Sequence, residues 1–196
     1  EHHDYVGGKI GMWLFLFTEM LLFGGMFLIY AIYRAKYSKE FHIAALELNS
    51  GIGTFNTILL LTSSLTATLA IGAIRKGRKG ACLGFLWTTI ALGSGFMMNK
   101  AFEWNYKIHH GIFPWKGTSK GLGKLLLEGK ITEGESTFYN LYFVMTGLHG
   151  LHVLIGLVVL AVMVWFVASD RVRQDRSGVL ENSSLYWHLV DVVWLY

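Results

Sequence analysis

Ile10–Tyr33 reads IGMWLFLFTEMLLFGGMFLIYAIY, with Glu19 near its middle as the one ionisable side chain among acids and bases. About 20 apolar residues cross ~30 Å of hydrocarbon as a helix. The stretch is long enough to span. It is too long for the apolar core of a signal peptide and has no cleavage site, so no signal peptide is expected. A carboxylate at that depth costs roughly 2.5 kcal/mol or more on insertion scales, so Glu19 needs a partner, a wet cavity or a proton. Its same-face neighbours are Phe15, Leu16, Leu22 and Phe23. An apolar setting disfavours the charged form. Two readings stay open: a neutral carboxyl bonded to a neighbouring helix, or a protonatable group on a proton or lipid-headgroup path.

The rest of the chain is of the same kind. Its 196 residues are 53% hydrophobic and 15% charged, against ~25% charged in soluble domains. Mean hydropathy is +0.44. Five apolar blocks follow one another over residues 10–33, 52–74, 82–106, 138–168 and 183–196. They are far longer than the ~10-residue strands of a membrane barrel, so the expected fold is an all-α polytopic membrane bundle of five helices in one domain, 1–196. The last block, at ~1.5 Å per residue, is too short to cross as it stands. The chain begins at Glu1 and stops inside an apolar run at Tyr196, as a portion of a longer product would. Gly24, Gly25, Gly93, Gly95, Gly147, Gly150 and Gly156 suit closely approaching helices. The second block is rich in Ser and Thr, whose hydroxyls can bond their own or a neighbouring helix.

Charge sets the expected orientation. Arg75, Lys76, Arg78 and Lys79 form a compact basic turn with no acid, which the positive-inside rule places in the cytoplasm. The N-terminus and loop 170–182, with Arg171, Arg173 and Arg176, then share that side. Loop 107–137 lies outside, although it holds five lysines. It contains Pro114, several glycines, and His109 and His110 at its start, and reads as a solvent or partner surface. The net charge of +4 is spread over loops and span ends, so nucleic acid is not an expected partner. Cys82, the single cysteine, reads as a small buried hydrophobe.

Few side chains offer chemistry. His149 and His152 lie three apart on one helix face, a spacing that does not place haem or metal ligands. Interhelical hydrogen bonding suits them better. His188 and Asp191, also three apart, can bond one another or adjacent helices. Glu103 and Trp104 close the third block as an interfacial anchor, with Glu103 paired to Lys100 or Lys107. Arg171 and its neighbours suit either anionic headgroups or topogenic charge. No nucleotide loop, triad or paired-carboxylate site is present, and no metal or cofactor is expected in this chain.

The stretches LFTEMLLFGGMFLIYAIYR (16–34), LNSGIGTFNTILLLTSSLTATLA (48–70), STFYNLYFVMTGLHGLHVLIGLVVL (136–160) and ENSSLYWHLVDVVWLY (181–196) resemble, in that order, subunit III of the haem–copper cytochrome oxidases. The TGxHGxHVxxG and YWHxVDVVWL patterns are specific together. The chain is most similar to the shorter bacterial type, which lacks the first two of seven helices. The resemblance implies a non-catalytic subunit of a proton-pumping terminal oxidase in a bacterial inner membrane. Such a subunit packs on subunit I beside subunit II, binds phospholipids, and supports proton uptake and turnover stability. Haem and copper stay in the partner subunits, and cytochrome c or quinol acts only indirectly. By the same resemblance the embedded glutamate falls on Glu19 and a lipid-lining phenylalanine on Phe15. The family histidines fall on His149, His152 and His188, and the acids on Asp191 and Glu181. Arg171 or Arg173 stand approximately where the headgroup arginine would. Lys100 departs from the glutamine often found three residues before the Glu103 position, and with the first two helices absent half of the usual lipid cleft must come from another subunit or be missing. The rivals are the same subunit in a quinol oxidase, a nitric-oxide-reductase accessory protein, and a small proton-coupled transporter using Glu19.

Overall fold

The computed structural model describes residues 5–46, 50–109, 122–172 and 178–195. They form seven helices and, among the described residues, no strand: α1 (Tyr5–Lys36), α2 (Ser38–Leu46), α3 (Ser50–Arg75), α4 (Lys79–His109), α5 (Leu122–Leu127), α6 (Glu133–Ala168) and α7 (Gly178–Leu195). Four are long and apolar enough to cross a membrane: Gly7–Lys36, Gly51–Arg75, Lys79–His109 and Glu133–Ala168. The molecule is a helical membrane bundle. Five crossings were expected, and four helices among the described residues have the length and apolarity for one. The fifth block is helical, but α7 has 18 residues, includes Glu181 and Asp191, and is only ~27 Å long at 1.5 Å per residue.

Local chemistry sets the helix ends. The α6 helix starts at Glu133 rather than Phe138 because Thr132 and Glu135 close a capping box. The Glu135 amide donates to Oγ1 of Thr132 at 3.2 Å, and the Thr132 amide donates to Oε2 of Glu135 at 2.7 Å. The α3 helix stops where Gly77 takes φ 69° and the Arg78 amide donates to the Ala73 carbonyl at 2.9 Å. The same left-handed ending closes α6, with Asp170 at φ 57° and the Arg171 amide donating to the Phe166 carbonyl. Lys79 supports that turn, donating to the Ala168 carbonyl and to Oδ1 of Asp170, both at 2.8 Å.

The described chain divides into two compact units: Glu1–Met20 with Thr54–Met97 and His149–Tyr196, and Leu21–Gly53 with Met98–Leu148. In the first, the core gathers around Leu60, Leu86, Phe96, Val153, Leu160 and Trp187. Trp187 of α7 is fully buried, and its Nε1 donates to Oγ of Ser63 on α3 at 3.0 Å. Its ring rests on glycines of two other helices. A Cβ on Gly93 of α4 would stand 2.7 Å from Cη2, and one on Gly156 of α6 2.8 Å from Cε3. The glycines therefore admit an indole. By contrast, Gly24, Gly25 and Gly95 have nothing within 4 Å of a Cβ position, so close helix approach does not explain them in this chain. Thr66 and Thr89 share a further α3–α4 hydrogen bond of 2.8 Å. The α1 helix presents Leu16 and Phe23 inward and leaves 11% of its span buried.

In the second unit Phe41 and Ala44 of α2 pack with Leu122, Phe138 and Tyr139. Phe41 meets Phe138 edge-on at 5.3 Å. Gly134 lets α6 begin against α2, since a Cβ there would lie 2.7 Å from Cβ of Glu40 and 3.1 Å from Cβ of Tyr37. Gly134→Val is expected to destabilise this unit by about 1–3 kcal/mol. The check is limited proteolysis: cleavage within 37–46 should accelerate in the variant, and equal rates would show that α2 does not pack there.

Candidate functional site

Glu19 and His152 meet in the first unit. Oε2 of Glu19 on α1 lies 2.9 Å from Nε2 of His152 on α6, with side chains 15% and 11% exposed. The carboxyl thus has the interhelical partner that its depth requires. Phe15, one turn earlier, places its ring 5.9 Å from that of Tyr186. The Tyr186 hydroxyl donates to the His152 carbonyl at 3.1 Å. Four side chains of α1, α6 and α7 therefore form one polar–aromatic cluster.

The other expected residues are distributed. His149 is buried, with Phe96 edge-on at 5.7 Å and Trp194 at 5.4 Å. It thus serves α4 and α7 while His152 serves α1. His188 faces hydroxyls: Ser64 Oγ is 2.5 Å from Nδ1, and Ser184 and Thr68 are 3.0 and 3.3 Å from Nε2. Asp191 is buried, 3% exposed, and its carboxyl interacts with the Ser64 hydroxyl of α3. Glu181 lies 2.9 Å from Arg75 and 3.6 Å from Lys9, joining one end of α1, α3 and α7. Arg171 is exposed and holds its guanidinium 4.5 Å above the Trp165 ring. Arg173 lies outside the described residues.

One cluster goes beyond the sequence expectation. Glu103 pairs with both Lys100, at 2.9 Å, and Lys107, at 3.9 Å. It also accepts a short hydrogen bond from the Tyr142 hydroxyl on α6. Lys100 donates to that hydroxyl at 2.9 Å, and Lys107 lies 4.3 Å from the centre of the Tyr142 ring. The expected surface anchor is a largely buried network. The lysine spacing around Glu103 was legible, but nothing local marked Tyr142. Among the described residues, no three His, Cys, Asp or Glu side chains converge as a metal site would need.

These features define a polytopic helical membrane protein whose polar groups join helices to one another. Residues 126–196 match the family model described as cytochrome c oxidase subunit III. The chain is 32% identical to cytochrome c oxidase subunit 3 of Rhipicephalus sanguineus, over 97% of this chain and 68% of that one. It is 29% identical to cytochrome c oxidase subunit 3 of Thermostichus vulcanus, over 100% and 85%. It is also 28% identical to the cytochrome bo(3) ubiquinol oxidase subunit 3 of Pseudomonas putida, over 95% and 80%. The chain belongs to the subunit III family of haem–copper oxidases. Membership makes it a membrane component of an oxidase complex.

Proposed function

We propose that this chain is the non-catalytic subunit III of a proton-pumping terminal oxidase in a bacterial inner membrane, with five crossing helices in its single domain, α7 being the fifth. It packs on subunit I, beside subunit II, binds phospholipid and sustains proton uptake over many turnovers. Haem and copper belong to the partner subunits. The Glu19–His152 pair is the observation that carries this reading: an embedded acid and base joined across helices. The exposed Lys76 and Arg78, on the turn after α3, favour a cytoplasmic N-terminus and cytoplasmic 75–80 and 170–182 loops. Arg171, with Arg173 beside it in sequence, is suited to a headgroup phosphate on that side.

A cytochrome c oxidase is the first reading and a quinol oxidase the second, because relatives of both kinds match most of the chain. Purification in mild detergent distinguishes them. Co-purified haem–copper subunits and oxygen consumption from reduced cytochrome c are the expected result. Consumption from quinol alone would favour the second reading, and a chain that purifies alone and moves protons would overturn both. Glu19→Ala leaves His152 without its carboxyl partner. The loss is expected to be about 1–2 kcal/mol of bundle stability, read as a lower midpoint of thermal release of this chain from the complex. An unchanged midpoint and turnover lifetime would remove Glu19 from the proposal.

A further inference from the structure

The α7 helix packs along α3 with Glu181 near Arg75, Trp187 at Ser63, His188 at Ser64 and Trp194 at Thr57. In the middle of that seam one hydroxyl has two partners. Oγ of Ser64 lies 2.5 Å from Nδ1 of His188, and the same hydroxyl is the hydrogen-bond partner of the Asp191 carboxyl. Ser64 has one hydrogen to give and lone pairs with which to receive others. It can serve both partners only if one of them supplies a hydrogen in return. In one arrangement Ser64 donates to the carboxylate and Nδ1–H donates to Ser64. In the other the protonated carboxyl donates to Ser64, and Ser64 donates to a bare Nδ1. With neither group protonated, lone pairs would face one another across one of the two contacts. With both protonated, one hydrogen would be left without an acceptor beside a carboxyl that is 3% exposed. Each of those states carries the cost of an unmet polar group in a buried site.

The far side of the ring accommodates either arrangement. Nε2 of His188 stands 3.0 Å from Oγ of Ser184 and 3.3 Å from Oγ1 of Thr68. The Ser184 hydroxyl can donate to a bare Nε2 or accept from a protonated one. Thr68, whose hydroxyl donates to the Ser64 carbonyl at 3.1 Å, can accept. We infer that Asp191, Ser64 and His188 form a buried proton relay, in which the carboxyl and Nδ1 hold one proton between them through the Ser64 hydroxyl. Nε2, beside the exposed Thr68, is the end at which the ring exchanges protons. Transfer is a paired step. The carboxyl O–H bond breaks as its proton passes to Oγ, and the Oγ–H bond breaks as that proton passes to Nδ1. One bond forms for each that breaks, and Ser64 ends with a single hydrogen. The relay joins an acid to a base as Glu19 and His152 do, with a hydroxyl set between them. It rests on the packing of α3 against α7 and stands apart from the oxidase assignment.

Two readings on the chain, purified with whatever proteins accompany it, test this. Infrared difference spectra against Asp191→Asn show whether the carboxyl is protonated. Nitrogen NMR of ring-labelled histidine, with His188 assigned by its loss in His188→Gln, shows whether Nδ1 is. One proton between the two groups is expected, and a proton on both or on neither overturns the proposal. Ser64→Ala removes the bridge, so the Asp191 band and the Nδ1 signal should both shift. Ser64→Thr keeps a hydroxyl and should restore them. Signals indifferent to Ser64→Ala also overturn the proposal. If the variants do not accumulate, neutron diffraction from the wild type in heavy water decides the matter. It should find deuterium on the carboxyl or on Nδ1, and finding it on both or on neither is the overturning result.

Discussion

Trp187→Ala is expected to lower the stability of the bundle by about 3–5 kcal/mol, the range for deleting a large buried aromatic side chain. The indole fills a socket shared by α3, α4, α6 and α7. Hydrophobic exclusion does not drive helices together inside lipid, so packing and interhelical hydrogen bonds carry association there. Removing the ring sacrifices both. It empties the space above Gly93 and Gly156 and deletes the bond to Ser63. Ser63 itself is not stranded, since its hydroxyl donates to the Leu60 carbonyl at 2.7 Å. Trp187→Phe, which keeps part of the ring, should therefore fall between wild type and alanine. Gly93→Ala and Gly156→Ala approach the same socket from the other side and should each cost about 1–3 kcal/mol by overpacking. Thermal unfolding of the purified protein in detergent checks the order. A Trp187→Ala variant that unfolds with the wild type would mean that the socket is not formed.

Glu103→Leu is expected to have an effect of similar size through a different cause. It leaves Lys100 and Lys107, 8% and 9% exposed, facing one another without the carboxylate between them. Breaking a buried ion pair by removing one partner costs about 3–5 kcal/mol, because the remaining charge stays desolvated. The Tyr142 hydroxyl loses its acceptor at the same time. Glu103→Gln keeps shape and some hydrogen bonding, and should be milder. The discriminating variant is Glu103→Leu with Lys100→Met and Lys107→Met, since apolar replacement of a whole buried network is often close to neutral. Recovery in the triple variant, measured by the same unfolding assay, would identify stranded charge as the cause. A triple variant as unstable as Glu103→Leu would point to shape instead.

The helices themselves were readable because depth in a bilayer forces length, apolarity and helical hydrogen bonding together. The ends were readable in part. Thr132 and Glu135 carry the capping-box spacing, yet the apolar pattern alone placed the start of α6 at Phe138. Gly77 marks the end of α3, while Asp170 performs the same turn without a glycine to announce it. The partner of Glu19 could be anticipated only as a kind: depth demanded one, and His152 was a separate candidate 133 residues away. The glycines of α4 and α6 advertised close packing but not what enters the space, because the entering Trp187 lies on a different helix. Tyr142 was invisible for the same reason, as a tyrosine in an apolar helix has no pattern that names Glu103.

The slight burial of α1 has a consequence for assembly. Trp13, Leu14, Phe17 and Leu21 all face away from the rest of this chain. Among the described residues, its polar ties within the first unit include Glu19 to His152, Lys9 to Glu181, and the Asn182 amide to the Gly8 carbonyl. In a membrane, those aromatic and aliphatic flanks are the part of α1 left for lipid or a neighbouring protein to cover.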